Sequence, residues 1–236
     1  MAARHLDAQR PYPPACNALK RHNMYLIDLV CVLLATGVSL SMRPWRLLPP
    51  GGPPWPWLAL VSVMPLLWST DRFAHIPVAP PLSGAVLLVL MAGWPLAVLA
   101  LLPVAVVTLV VAPLDAAEAL FRLVWQGLAP ATLALAVGAA VRRWLPNHLF
   151  VYILGRAFLG TWLALTLAGA AALLLQTAIV GTLDEDLFIA KLLAASGEAF
   201  LTGMIAAIGV AFRPQWLATY ADRLYLPDGT GHPPRC

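Results

Sequence analysis

Charge almost disappears from long stretches of this sequence and returns at intervals of about one bilayer thickness. Asp, Glu, Lys and Arg together make up 11% of the residues, against about 25% in an ordinary soluble domain. Hydrophobic residues make up 61%, and the mean hydropathy is +0.79. A soluble fold has too little interior to hide that much apolar surface. A helix that crosses a bilayer needs about 20 apolar residues, and the chain offers several such runs. The expected fold class is therefore all-α, a polytopic helical membrane protein. The chain divides into a polar N-terminal segment (1–23), one helical membrane domain (24–226) and a Pro/Gly-rich tail expected to be disordered (227–236).

The chain has 236 residues, enough for six or seven spans with short loops. Its net charge is +4 and its pI about 9.3. In a bilayer protein this basic balance points to Lys and Arg in cytoplasmic loops and to anionic lipid rather than to nucleic acid. Cys16, Cys31 and Cys236 are far apart, which speaks against a disulfide framework or a zinc knuckle. The first apolar stretch is too long for the core of a signal peptide and reads as a retained span.

Seven spans are expected, with six as the alternative. Span 1 covers Met24–Met42 and span 2 Trp57–Ser69, the latter ending at Thr70-Asp71-Arg72. The charge-free stretch from Pro81 to Pro113 has Gly93-Trp94-Pro95 in its middle. It reads as a short, broken helix around 82–95 followed by a full span (Leu96–Val111). Spans 5, 6 and 7 cover Leu120–Val141, Leu149–Val180 and Leu187–Phe212. Span 6 is rich in small residues (Gly155, Ala157, Gly160, Gly169), which let helices approach closely in lipid. Residues 215–226 read as a short interfacial helix carrying Trp216, Tyr220 and Tyr225. Arg142, Arg143, Arg213 and Arg223 put the C-terminus on the cytoplasmic side.

Few residues suggest chemistry. Glu198 lies inside span 7, and an acid at membrane depth is costly enough to mark either function or a structural contact between helices. Arg156 in span 6 is its natural partner. At about 1.5 Å per residue, Arg156 would lie about 11 Å and Glu198 about 22 Å from the same end, so a direct pair is not favoured. His75, in the loop His75-Ile76-Pro77, is a candidate ligand for nickel, cobalt, copper or zinc with Asp71 beside it; an ordinary loop histidine is the plain alternative. His148 reads as interfacial, and Asn147 as an N-cap. Asp28 lies near an end of span 1 and within reach of water. Asp115 and Glu118 suit the positive end of span 5. Met91 and Met204 could serve copper as soft ligands, though methionines mostly pack. No P-loop, H-E-x-x-H or G-x-S-x-G is present, and no enzymatic activity is expected.

Beyond these single residues, three blocks early in the domain stand out: His75-Ile76-Pro77, Ser83-Gly84-Ala85 and Gly93-Trp94-Pro95. Later come Pro146-Asn147-His148-Leu149-Phe150, Glu198-Ala199-Phe200-Leu201-Thr202-Gly203-Met204 and Phe212-Arg213-Pro214-Gln215-Trp216. Over about residues 56–226 this order resembles a family of bacterial membrane proteins described as energy-coupling-factor transporter permeases. That family is distantly related to the substrate-binding components of cobalt and nickel importers. The resemblance implies about seven helices in a bacterial inner membrane, capture of a transition-metal ion, and separate coupler and ATPase subunits. It also implies a metal held by an N-terminal Met-His segment and a loop histidine, to which His75 corresponds. The chain departs from that pattern at Met1-Ala2-Ala3-Arg4-His5, which has no histidine in second place. The alternative is a non-catalytic accessory or assembly subunit of a larger membrane complex, docked through the small-residue face of span 6. A carrier for a small organic cofactor would need a substantial cavity near the midplane.

Overall fold

The computed structural model describes residues 14–47, 55–73, 80–112, 114–146, 148–180 and 185–220. Among these the only regular secondary structure is helix. Five helical runs are long and apolar enough to cross a membrane: Asn23–Ser41, Trp94–Val111, Ala116–Trp144, Val151–Thr177 and Glu185–Phe212. The protein is a polytopic membrane protein.

The first of these runs belongs to α1 (Pro14–Ser41). Two shorter helices follow, α2 (Trp55–Trp68) and the single turn α3 (Thr70–Phe73). Then come α4 (Ala85–Ala92) and α5 (Trp94–Val111). The next run is α6 (Ala116–Arg122), a π-helical turn (Leu123–Leu128) and α7 (Ala129–Trp144). A second π-helical segment (Val151–Leu159) leads into α8 (Gly160–Val180), and α9 (Glu185–Phe212) completes the bundle.

The seven expected spans are thus five full-length helices and two short elements. At about 1.5 Å per residue, α2 is about 21 Å long and α4 about 12 Å. The sequence explains why α4 is short. Gly84, at φ 69°, stands at its N-terminal boundary and Gly93, at φ 80°, at its C-terminal one. Gly84 is left-handed and Gly93 also has a positive φ, conformations that glycine adopts without a Cβ penalty, and Pro95 then sits in the first turn of α5.

The end of the bundle bearing Asp71, Glu118 and Glu185 is called the upper end here, and the end bearing Arg142, Arg143 and Arg213 the lower. Ser39 Oγ donates to the Pro95 carbonyl at 2.7 Å, which sets the foot of α1 beside the start of α5. Helix α4 runs from mid-bundle to the lower end, and α5 turns back upward from Gly93. All eight residues of α4 are buried. Its Leu88 joins a core of Met64, Trp68, Val98, Leu101, Val104 and Leu128.

Elsewhere the packing is by small residues. Ala164, Ala168 and Ala172 on α8 are buried, as are Ala195, Ala199 and Ala206 on α9. A Cβ on Gly203 would stand 3.2 Å from the Phe158 Cβ, so the two backbones approach as only glycine permits. Large apolar side chains point outward instead, Val110 at 79% and Phe212 at 77% exposed. This inverted pattern suits hydrocarbon, where apolar side chains gain little by hiding from the solvent.

Beyond Phe212 the expected interfacial helix does not form over 215–220. A three-residue 3-10 turn, Pro214–Trp216, is followed by irregular chain. The reason is packing: Ala218 N–H and Thr219 N–H donate to the Met91 and Leu90 carbonyls at 3.1 and 3.3 Å. The segment is spent on closing the lower end of α4. Residues 221–226, the polar segment up to residue 13 and the 227–236 tail lie outside the described residues.

Candidate functional site

Glu198 sits halfway along α9 and is 6% exposed. Its two oxygens accept hydrogen bonds from two successive backbone groups. Ser83 N–H donates to Oε2 and Gly84 N–H to Oε1, each at 2.7 Å. These N–H groups open α4, where a helix has donors without internal partners and a partial positive charge. A carboxylate is the group that such a terminus prefers.

The approach to α4 is fixed just as closely. Trp68 Nε1 donates to the Ser83 carbonyl at 2.8 Å. Ser83 Oγ donates to the Gln126 carbonyl at 2.6 Å and accepts from Ala85 N–H at 3.1 Å. Gln126 Nε2 donates to the Leu82 carbonyl at 3.0 Å. Gln126 lies in the first π turn, a local widening of the helix that often marks a functional position. Irregular backbone within a bundle survives only where its polar groups are met by protein or a cavity, and here they are met by protein.

A half-open cavity of about 100 Å³ lies beside this cradle. Pro80, Pro81 and Ser83 border it on one side, with Phe121, Arg122, Trp125 and Gln126 from the α6–π run. Gly169 and Ala172 of α8 and Lys191, Ala195 and Glu198 of α9 complete it. Lys191 and Glu198 are seven positions apart, so they share a face of α9 about 10 Å apart along its axis.

Above the cavity stands a group of four charges. Arg122 Nη1 and Nη2 donate to the Asp71 Oδ1 and Oδ2 at 3.0 and 2.6 Å, and Nη2 also reaches Glu118 Oε1 at 2.8 Å. Arg122 Nη1 donates as well to the Trp68 carbonyl. Arg72 Nη2 reaches both Glu118 oxygens at 2.6 and 2.7 Å. Two cations and two anions balance. Burial alone would raise the Asp71 pKa, but the Arg122 hydrogen bonds and the charges of Arg122 and Arg72 outweigh it and hold the carboxyl below the ordinary range.

The expected site residues fare unequally. His75 lies outside the described residues. Asp71 faces Arg122 rather than an open ligand position, because the guanidinium offers it a two-toothed fit. Among the described residues no group of three or more His, Cys, Asp or Glu could hold a metal ion. Glu198 and Arg156 do not meet. Arg156 packs over the Tyr152 ring at 5.9 Å, and a Cβ on Gly138 would touch its Nε at 2.9 Å. Its Nε is buried without a hydrogen bond.

His148 is exposed and stacks on Phe150, with ring centres 5.8 Å apart. Trp216 meets Trp55 edge to face at 5.6 Å. Tyr220 is buried, 7% exposed and set against Tyr152 at 5.0 Å, because the chain after α9 folds back under α4. Asp28 does not reach water either. It is 2% exposed and accepts from Trp125 Nε1 at 3.0 Å. Glu118 joins the charge group, and Asp115 makes no side-chain cap.

Sequence reasoning passed over Arg122 and Lys191, although both stand inside expected spans, where any charge is a signal. Ser83 and Gly84 act through backbone N–H groups, which leave no such mark.

Fold and site together define a polytopic helical membrane protein built around a buried half-helix, whose N-terminus is clamped by a carboxylate next to a cavity. No protein-family model, no curated protein and no solved structure matches the chain.

Proposed function

We propose that the chain is the solute-binding membrane component of an uptake system in a bacterial inner membrane, working with separate coupler and ATPase subunits. The observation that carries this reading is the broken helix: α4 begins in mid-bundle at Glu198, beside a cavity open on one side. Half-helices whose termini face a central site are a recurring way to place a solute within a bilayer. A protein that only filled space in an assembly would gain nothing from a polar break at that depth.

A transition-metal cargo, whether nickel, cobalt or copper, rests on His75 and the resemblance that singles it out. Metal analysis of untagged protein, wild type beside His75→Ala, tests it. Near-stoichiometric metal that disappears in the variant supports metal capture; none in either protein after loading removes it. The wider reading is tested by affinity purification from native membranes. Recovery of an ATPase and a second membrane subunit supports uptake. Recovery of an enzyme complex without an ATPase would make the chain an accessory subunit instead.

A further inference from the structure

The chain has two lysines, Lys20 and Lys191, among 15 basic residues. Every other cation of the membrane domain is an arginine. Among the described residues Lys191 is also the cation left unengaged at the cavity. Among the described residues it makes no ion pair or hydrogen bond. Its neighbour Arg122 is different. All four Nη hydrogens of that guanidinium are directed at Asp71, Glu118 and the Trp68 carbonyl. Arg122 is therefore neutralised by its own carboxylates and has little left to donate. Lys191 has three N–H donors and no assigned acceptor.

A charge inside a bundle is expected to be paired or to face a water-filled path. Lys191 faces the cavity. Its stem runs beside Gly169, where an added Cβ would stand 3.7 Å from its Cδ. On the other side, the rings of Phe121 and Trp125 supply an apolar wall. One free cation among aromatic and small apolar residues is the make-up of a pocket for a compact organic molecule with one fixed charge. A closed cavity of about 150 Å³ admits benzene; this one, at about 100 Å³ and open on one side, admits a short-chain molecule of a few heavy atoms. A bare cation is disfavoured by the unpaired Lys191. Glu198 lies about 10 Å away along the helix, and its oxygens already take two N–H donors.

We infer that the cavity binds a small soluble organic acid, with the carboxylate on Lys191 and the hydrocarbon part between Phe121, Trp125 and the small-residue wall of α8. This names an organic acid, in place of a metal ion, as the solute of the uptake reading and rests on that reading for its role in transport; the binding itself needs no partner.

The two lysines make the test direct. Full-length protein carrying isotope-labelled lysine, in discs of zwitterionic lipid, gives two lysine side-chain signals by NMR. Lys191→Arg removes one and so assigns both. Butyrate should move the Lys191 signal in a saturable way and leave Lys20 in place. Butylammonium and chloride at equal ionic strength should not. Gly169→Val, which adds bulk against the Lys191 stem, should weaken the butyrate effect about tenfold. A non-saturable shift, or equal shifts from butyrate and chloride, would overturn the proposal. So would movement of Lys191 by added phosphatidylglycerol that butyrate cannot reverse, since the ligand would then be a lipid phosphate. A purified ATPase partner with no butyrate site keeps the uptake reading and removes this one. A butyrate site without such partners does the reverse.

Discussion

The two ends of α4 are held by opposite means. At the top a side chain does it: Glu198 accepts from Ser83 and Gly84 across a separation of more than a hundred residues. At the bottom it is backbone: Ala218 and Thr219 N–H groups donate to the Met91 and Leu90 carbonyls. Both clamps belong to α9 or the chain just after it, so one helix and its tail hold the half-helix from both sides. The difference is chemical. A carboxylate can rotate, take up a proton or exchange its partners, whereas backbone N–H groups offer one fixed bond each. The cavity opens beside the clamp that can change. The lower clamp is sealed by Tyr152, Tyr220 and Leu217.

If that contrast is right, the largest effect comes from removing the upper clamp. Glu198→Ala leaves two buried N–H groups without acceptors. Hydrogen bonds to a charged group are worth about 1.5–3 kcal/mol each, so the variant should lose about 3–6 kcal/mol. Unfolding in mixed micelles followed by circular dichroism measures it. Glu198→Gln keeps one good acceptor and should fall between. An alanine variant as stable as wild type would mean that the half-helix does not depend on the carboxylate.

Next is Arg122→Met, which strands Asp71 and the Trp68 carbonyl. Breaking a fully buried pair costs about 3–5 kcal/mol. Asp71 is 26% and Glu118 33% exposed, so the expected loss is lower, about 2 kcal/mol after solvent screening. The pH dependence has a definite sign. Asp71 has a lowered pKa in the folded protein. Its contribution is complete above its unfolded value and is lost as pH falls through the lower folded one. Wild type should therefore lose stability in that acidic window, and Arg122→Met should show a smaller loss there. Equal acid sensitivity in both proteins would remove Asp71 from the account.

Gly84→Ala sharpens the same point more gently. The residue would have to hold φ 69° and set a Cβ 3.3 Å from Met64 Cγ. A left-handed conformation costs a residue with a Cβ about 1–2 kcal/mol, and the Met64 side chain can shift a little. The expected loss is about 1–2 kcal/mol, with weaker protection of the Ser83 and Gly84 amides in hydrogen exchange. Unchanged protection would separate the backbone geometry from the carboxylate clamp.

What the sequence revealed, and what it hid, follows the same division. The five long runs were legible because hydropathy reports them directly, and the helix break around 82–95 because Gly93-Trp94-Pro95 punctuates it. Glu198 stood out as a charge in an apolar run. Its partners did not, since a backbone N–H has no residue type. Arg122 and Asp71 are 51 positions apart, and nothing local joins them. The π turn at Leu123–Leu128, which carries Gln126 to Ser83, breaks no composition rule. The expected interfacial tail failed for a related reason: its amphipathic residues read as membrane-facing, yet the carbonyls at the foot of α4 needed donors.

Thr219 tests the lower clamp, and here the expected effect is smallest. Its hydroxyl contacts Tyr152 Oη at 2.9 Å and the Leu90 carbonyl at 3.0 Å, while its N–H separately meets that same carbonyl. Thr219→Val keeps the shape and the N–H and removes only the hydroxyl. The Leu90 carbonyl keeps the Thr219 N–H, so the net loss is the bond to Tyr152. A net hydrogen bond is worth about 0.5–1.5 kcal/mol, so the variant should lose about 1 kcal/mol, and the Lys191 response to butyrate should be unchanged. A much larger loss would show that the hydroxyl, not the backbone, holds the foot of α4. The two ends would then be alike: each would depend on one polar side chain, and the rigidity assigned to the lower end would have no physical source.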